Sequence, residues 1–213
     1  MKKISFMLMA FIFLSVLGYS QSVTVSVGAG EHWKEKMGPQ FAIWLENEDG
    51  SFVRTLYVTN KASKRSFIFC PKEGRPESLP VWYFASKSES SKTSKKDSLD
   101  AVSSATPKGG VVFPIELDEC PYVIKAEFNT SFDYNEYYTK KNSGVNGQPS
   151  VVYSALISLD KLSSDEVRLE FAGTGSLDGK DGNIHKNTNG LTTAKEIVKL
   201  VAVKGDKSLV VKK

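Results

Sequence analysis

Histidine is nearly absent from this chain and cysteine is scarce. Only His32 and His185 occur among 213 residues, with two cysteines. A zinc centre needs three or four close ligands, and neither an HExxH nor a CxxC spacing is present, so zinc chemistry has no ligand set. A GxSxG elbow is also missing, which removes the usual nucleophile motif of a serine hydrolase. Paired carboxylates such as Glu46/Glu48 and Asp97/Asp100 fall in turn-like or polar stretches, where solvated surface is the ordinary outcome. A hydrolase therefore has the least support. Lysines are interspersed with acids and form no basic stripe with interleaved aromatics, so nucleic acid is not an expected partner. Repeats are lacking, and no long segment carries a 3.6-residue apolar stripe.

The long apolar run lies at the N-terminus. Ile4 to Leu17 follows Lys2 and Lys3, and small residues stand at Gly18 and Ser20. This is the three-part secretory pattern, and it predicts a signal peptide over 1–20 with Gln21 as the mature start. The run is shorter than the ~20 residues of a stable span, so no transmembrane anchor is expected after cleavage. No cysteine follows closely enough for lipid attachment. The expected localisation is exported, either periplasmic or secreted. Residues 21–213 then form one domain. Its formal charge falls from +4 to about +2 when the two lysines leave.

Export bears on Cys70 and Cys120. In an oxidising compartment they are the pair available for one disulfide. Closing that loop stabilises by ~4 kcal/mol in the chain-entropy model. The alternative is two free, partly buried thiols, and spacing alone does not bring two Cα atoms within bridging distance.

Alternation of period two dominates the remainder. Val23, Val25 and Val27 alternate with Ser22, Thr24 and Ser26. Val151, Tyr153, Ala155, Ile157 and Leu159 share one parity, and Val167, Leu169 and Phe171 another. Tyr122 to Phe128 and Ile197 to Val203 read likewise as half-buried strands. Phe41 to Leu45 and Phe52 to Val58 flank Asn47-Glu48-Asp49-Gly50, a hairpin with Gly50 supplying a positive φ. Leu79 to Ala85 is either one short helix or a buried strand. Short strands joined by Gly, Asn and Asp turns predict a mainly β chain, an antiparallel β-sandwich of immunoglobulin-like or similar layout. Residues 86–104, with eight serines and four lysines, are expected as a mobile polar insertion.

Two surface candidates follow. Phe132, Tyr134 and Tyr138 share strand parity beside Tyr137 and Tyr153. Facing solvent, Tyr134, Tyr137 and Tyr138 would make a flat ligand surface; facing inward, they would be core. Asp178, Asp181 and His185 on a Gly-rich loop offer weak metal ligands. Lys180 and Lys186 oppose a cation, and a solvated loop is the simpler outcome.

Three segments in order resemble a known family. They are FAIWLENEDGSFVRTLYV (from Phe41), LPVWYFAS (from Leu79) followed by DAVSSATPKG (from Asp100), and DYNEYY (from Asp133) with GQPSVVYSALISL (from Gly147). The chain is similar to the exported proteins grouped as domain of unknown function 2271. That resemblance implies an exported β-sandwich and no agreed activity, which suits a non-enzymatic binding or accessory module of the bacterial envelope without a cofactor. DAVSSAT also resembles the Asp-x-x-Ser-Gly-Ala-Thr sequence of exported flavin carriers. By that resemblance Thr106 would accept FMN through its phosphate, Asp100 would assist there, and Ser103 would be the small polar neighbour. Ser104 departs from the motif's Gly, where backbone freedom is wanted. This alternative, a covalent FMN carrier for extracytoplasmic electron transfer, implies envelope redox or membrane proteins as partners.

Overall fold

A computed structural model of the protein describes residues 19–33, 38–59, 75–90, 102–104, 107–117, 121–158, 161–162 and 165–211. The described elements are β1 (Tyr19–Ala29), β2 (Gln40–Glu46), β3 (Phe52–Thr59), α1 (Pro80–Ser90), β4 (Val102–Ser104), β5 (Val111–Leu117) and β6 (Tyr122–Asn129). They continue with α2 (Lys140–Ser143), β7 (Val151–Ile157), β8 (Glu166–Arg168), β9 (Glu170–Thr174), a 3-10 turn (Thr193–Glu196) and β10 (Val198–Val211). A four-stranded sheet runs β5-β1-β10-β8 and a six-stranded sheet β4-β3-β2-β6-β7-β9. Among the described strands all pairings are antiparallel except β3 with β4. The protein is an antiparallel β-sandwich.

The core between the sheets follows from the alternation. Val23, Val25 and Val27 of β1 meet Phe41, Ile43 and Leu45 of β2, with Ile124, Phe128, Val151 and Val203 around them. Phe41 stacks on Tyr57 and Phe128 at 5.0 and 5.3 Å between ring centres, distances favourable for aromatic pairs. The hairpin turn is as the sequence predicts. Gly50 has φ 83° and donates its N–H to Asn47 at 3.0 Å.

Four findings differ from the sequence reading. First, β2 is buried on both faces, because α1 covers the outer face of the larger sheet. Leu79 and Val81 pack there on Ala42, Trp44, Val58 and Val152, and the segment is helix from Pro80, with Leu79 just ahead of it. Pro80 suits its first turn, where a missing N–H leaves no bond unmade. Second, that helix runs to Ser90 and β4 occupies 102–104. The ends of the expected insertion 86–104 therefore carry helix and strand; 91–101 lie outside the described residues. Third, Val167 to Phe171 is two strands. The chain changes sheets at buried Leu169, whose N–H bonds Val201 at 2.9 Å; β8 joins β10 and β9 joins β7. Fourth, Phe132, Tyr134 and Tyr138 lie on no strand.

Among the described strands β5 is an edge, and it is protected. Arg54 donates to the Glu116 carbonyl, and Pro114, on the same strand parity, presents no N–H. Both features discourage a further strand from adding there. Among the described residues no helix is long and apolar enough to cross a membrane.

Candidate functional site at the loop end of the sandwich

Most polar residues here are at the surface, as hydration of polar groups requires. One end of the sandwich breaks that rule. Glu127, Asn129, Thr130, Asp133, Asn146, Gln148 and Ser150 are all buried, in and beside the connection from β6 to β7. Two hydrogen-bonded groups make up this tract.

The first anchors the connecting loop. Asp133 Oδ1 accepts the Thr193 hydroxyl at 2.7 Å, and Oδ2 accepts the Gln148 amide at 2.9 Å. The Gln148 carbonyl oxygen accepts the Thr192 N–H at 2.6 Å. His32 Nε2 lies 3.1 Å from Asp133 Oδ1 without hydrogen-bond alignment. The loop is thereby tied to the turn before β10, and His32 of the turn after β1 abuts it. Higher up, Asn135 donates to the Gly190 carbonyl at 2.8 Å and the Tyr138 hydroxyl to the Asn189 carbonyl at 3.0 Å.

These ties hold an unusual conformation. Phe132 has φ 63°, alone among the described non-glycine residues in having a positive φ. A bulky side chain there is strained. Flanking backbone bonds impose it: Phe132 N–H to Val145 at 2.8 Å, and Gln148 N–H to Asp133 at 2.9 Å. The outcome is an aromatic ring held outward, 52% exposed, near Val145 at 46%. Its ring centre is 6.4 Å from that of Tyr134. Tyr137, 55% exposed, stands edge-on to Tyr138 at 4.9 Å. Burial and the neighbouring Tyr137 raise the Tyr138 phenol above its ordinary value. Tyr153 is separate from this group and packs edge-to-face between Phe128 and Phe171.

The second group lies under α1. Glu127 is fully buried and its carboxylate accepts three donors: the Ser150 hydroxyl at 2.6 Å, Trp82 N–H at 2.8 Å and Val81 N–H at 3.3 Å. It therefore satisfies two of the N–H groups that a helix leaves unpaired at its start. Burial pushes its carboxyl up to about 7, against the lowering effect of these hydrogen bonds. Arg75 secures the approach to α1, bonding Glu77 at 3.0 Å, Ser131 at 3.2 Å and Asn146 at 2.9 Å.

The other sequence candidates stand apart. Asp181 receives His185 Nε2 at 3.0 Å and is lowered chiefly by the Asn183 N–H. Asp178 pairs instead with Lys180 at 2.7 Å. Among the described residues no group of three or more His, Cys, Asp or Glu is placed to hold a metal. Ser103 belongs to β4, paired in parallel with Val58. Asp100 and Thr106 lie outside the described residues, as do Cys70 and Cys120.

Sequence reasoning did not single out Glu127, Asp133, Gln148 and Ser150. Alternation assigns Glu127 to the solvent face of β6, and the covering helix together with the chain at Gly175 buries it. Compared with known proteins, the chain matches no family model, no curated protein and no solved structure.

Proposed function

We propose that this chain is an exported, non-enzymatic binding or accessory module of the bacterial envelope. Its contact surface is the β6–β7 loop, with Phe132, Tyr134 and Tyr137 as anchors. One observation carries the reading: Phe132 is held at a strained φ with half of its ring in water. A core residue would gain burial in exchange for strain, whereas this one gains little. Strained backbone persists where surrounding structure over-determines it, and such positions cluster at functional sites. Rigid, amphipathic aromatic rings on sandwich loops supply contact area at low entropic loss. Export rests on the N-terminal pattern and on the family resemblance, and a chain starting at Gln21 retains nearly all of β1.

The test is co-sedimentation of the mature protein with isolated envelope fragments, comparing wild type with a Phe132→Ala/Tyr137→Ala double variant. Retention should fall at least tenfold in the double variant while its circular dichroism is unchanged. Equal retention of the two would sink the reading. N-terminal sequencing of the envelope-fraction protein should begin at Gln21. The flavin-carrier alternative is supported by the Asp100–Thr106 resemblance alone; intact mass of the 100–108 peptide, after co-expression with a flavin transferase, decides it.

A further inference from the structure

We propose that α1 is a proton-controlled flap, docked on the larger sheet while Glu127 is protonated and loosened when that carboxyl ionises. Geometry is the basis. α1 sits on the sheet through Leu79 and Val81, through the Trp82 indole N–H to Thr55 at 2.9 Å, and through the Glu127 carboxyl at its N-terminus. Glu127 is sealed from water. Gly175 closes the remaining side: a Cβ there would meet Glu127 Oε1 at 2.8 Å.

Among the described residues no cation is paired with Glu127. Lys125, two residues along the same face, is committed to Glu46 at 2.5 Å. Arg75, ahead of α1, is committed to Glu77. Lys87, in the last turn of α1, lies over the Tyr83 ring at 4.2 Å. On the loop after β9, His185 faces Asp181, Lys180 faces Asp178 and Lys186 is bonded to the Ala172 carbonyl at 2.6 Å. The ionised carboxylate keeps three hydrogen bonds but loses bulk hydration, and burial is the larger effect on it. Lifting α1 restores water to Glu127 without breaking a strand pairing.

Docked, the carboxyl sits at about 7; solvated, it returns to its ordinary 4.5. The proton is bound more tightly in the docked form, so docking is strongest below 4.5. It weakens up to about tenfold per pH unit as pH rises to about 7, then levels off about 300-fold weaker. Docking at neutral pH is accordingly the weaker state, and Trp44, Ala42 and Val152 beneath α1 are then intermittently exposed.

Hydrogen exchange of the full mature protein between pH 5 and 8 tests this, read as protection factors corrected for the intrinsic pH dependence. Protection of the Tyr83 amide, bonded to Leu79, should fall at least tenfold from pH 5 to 7. Amides of Val25 and Ile43 in the core strands should hold constant. The Glu127→Gln variant should show α1 protection independent of pH. If that variant does not fold, carbon-detected NMR titration of the Glu127 carboxyl in wild type serves instead, with a midpoint near 7 expected. Three results overturn the proposal: α1 protection that does not change with pH, core amides that fall in parallel with it, or a carboxyl midpoint below 5.

Discussion

Replacing Phe132 by glycine and, separately, by alanine isolates the strain at the loop end. The left-handed region disfavours a residue with a Cβ by about 1–2 kcal/mol. Alanine retains that penalty and gives up the buried half of the ring. A fully buried Phe is worth about 1.5–3 kcal/mol, so half of it is worth about 1 kcal/mol. Phe132→Ala should therefore destabilise by about 1 kcal/mol. Glycine loses the same ring, relieves the strain, and adds a chain-entropy penalty of about 0.5–1 kcal/mol. Phe132→Gly should come out near wild type and more stable than Phe132→Ala by about 0.5–1 kcal/mol. Urea unfolding followed by fluorescence and circular dichroism measures this. In heat, a domain of this size shifts by about 2–4 °C per kcal/mol. Both variants should lose envelope binding alike. If the glycine variant is the less stable of the two, the strained φ is not the native one. If either variant costs 3 kcal/mol or more, the ring is a packing element and the outward-anchor argument fails.

Other outcomes follow from single contacts. Gly50→Val should destabilise by about 1–2 kcal/mol in urea, through backbone alone, since nothing lies within 4 Å of a Cβ at φ 83°; an unchanged melt would refute the turn. Trp44→Phe removes the indole N–H that donates to buried Glu46 at 2.7 Å. A bond to a charged group is worth about 1.5–3 kcal/mol, and chemical denaturation should show a loss in that range. Pro114→Val restores an N–H on the free side of β5, and sedimentation velocity should then show concentration-dependent association absent from wild type.

The sequence by itself determined the local, periodic part of this protein. Val23, Val25 and Val27 point inward because side chains alternate across a strand, and that rule needs no partner to be known. Gly50 marks the hairpin because few other residues tolerate its φ. Tertiary structure decided what depends on which layer lies opposite. The run from Val167 to Phe171 reads as one strand, yet Leu169 is where the chain passes between sheets, since both sheets offer an edge there. Leu79 to Ala85 suited helix or strand until a covering position on the larger sheet made it α1. That covering buried Glu127, which alternation sends to solvent. The aromatic parity of Phe132, Tyr134 and Tyr138 belonged to a strand that does not form, because buried bonds from Asp133 and Gln148 bend the chain into a loop. Burial of a polar group is a property of the cover above it, and a cover distant in sequence leaves no trace in local periodicity.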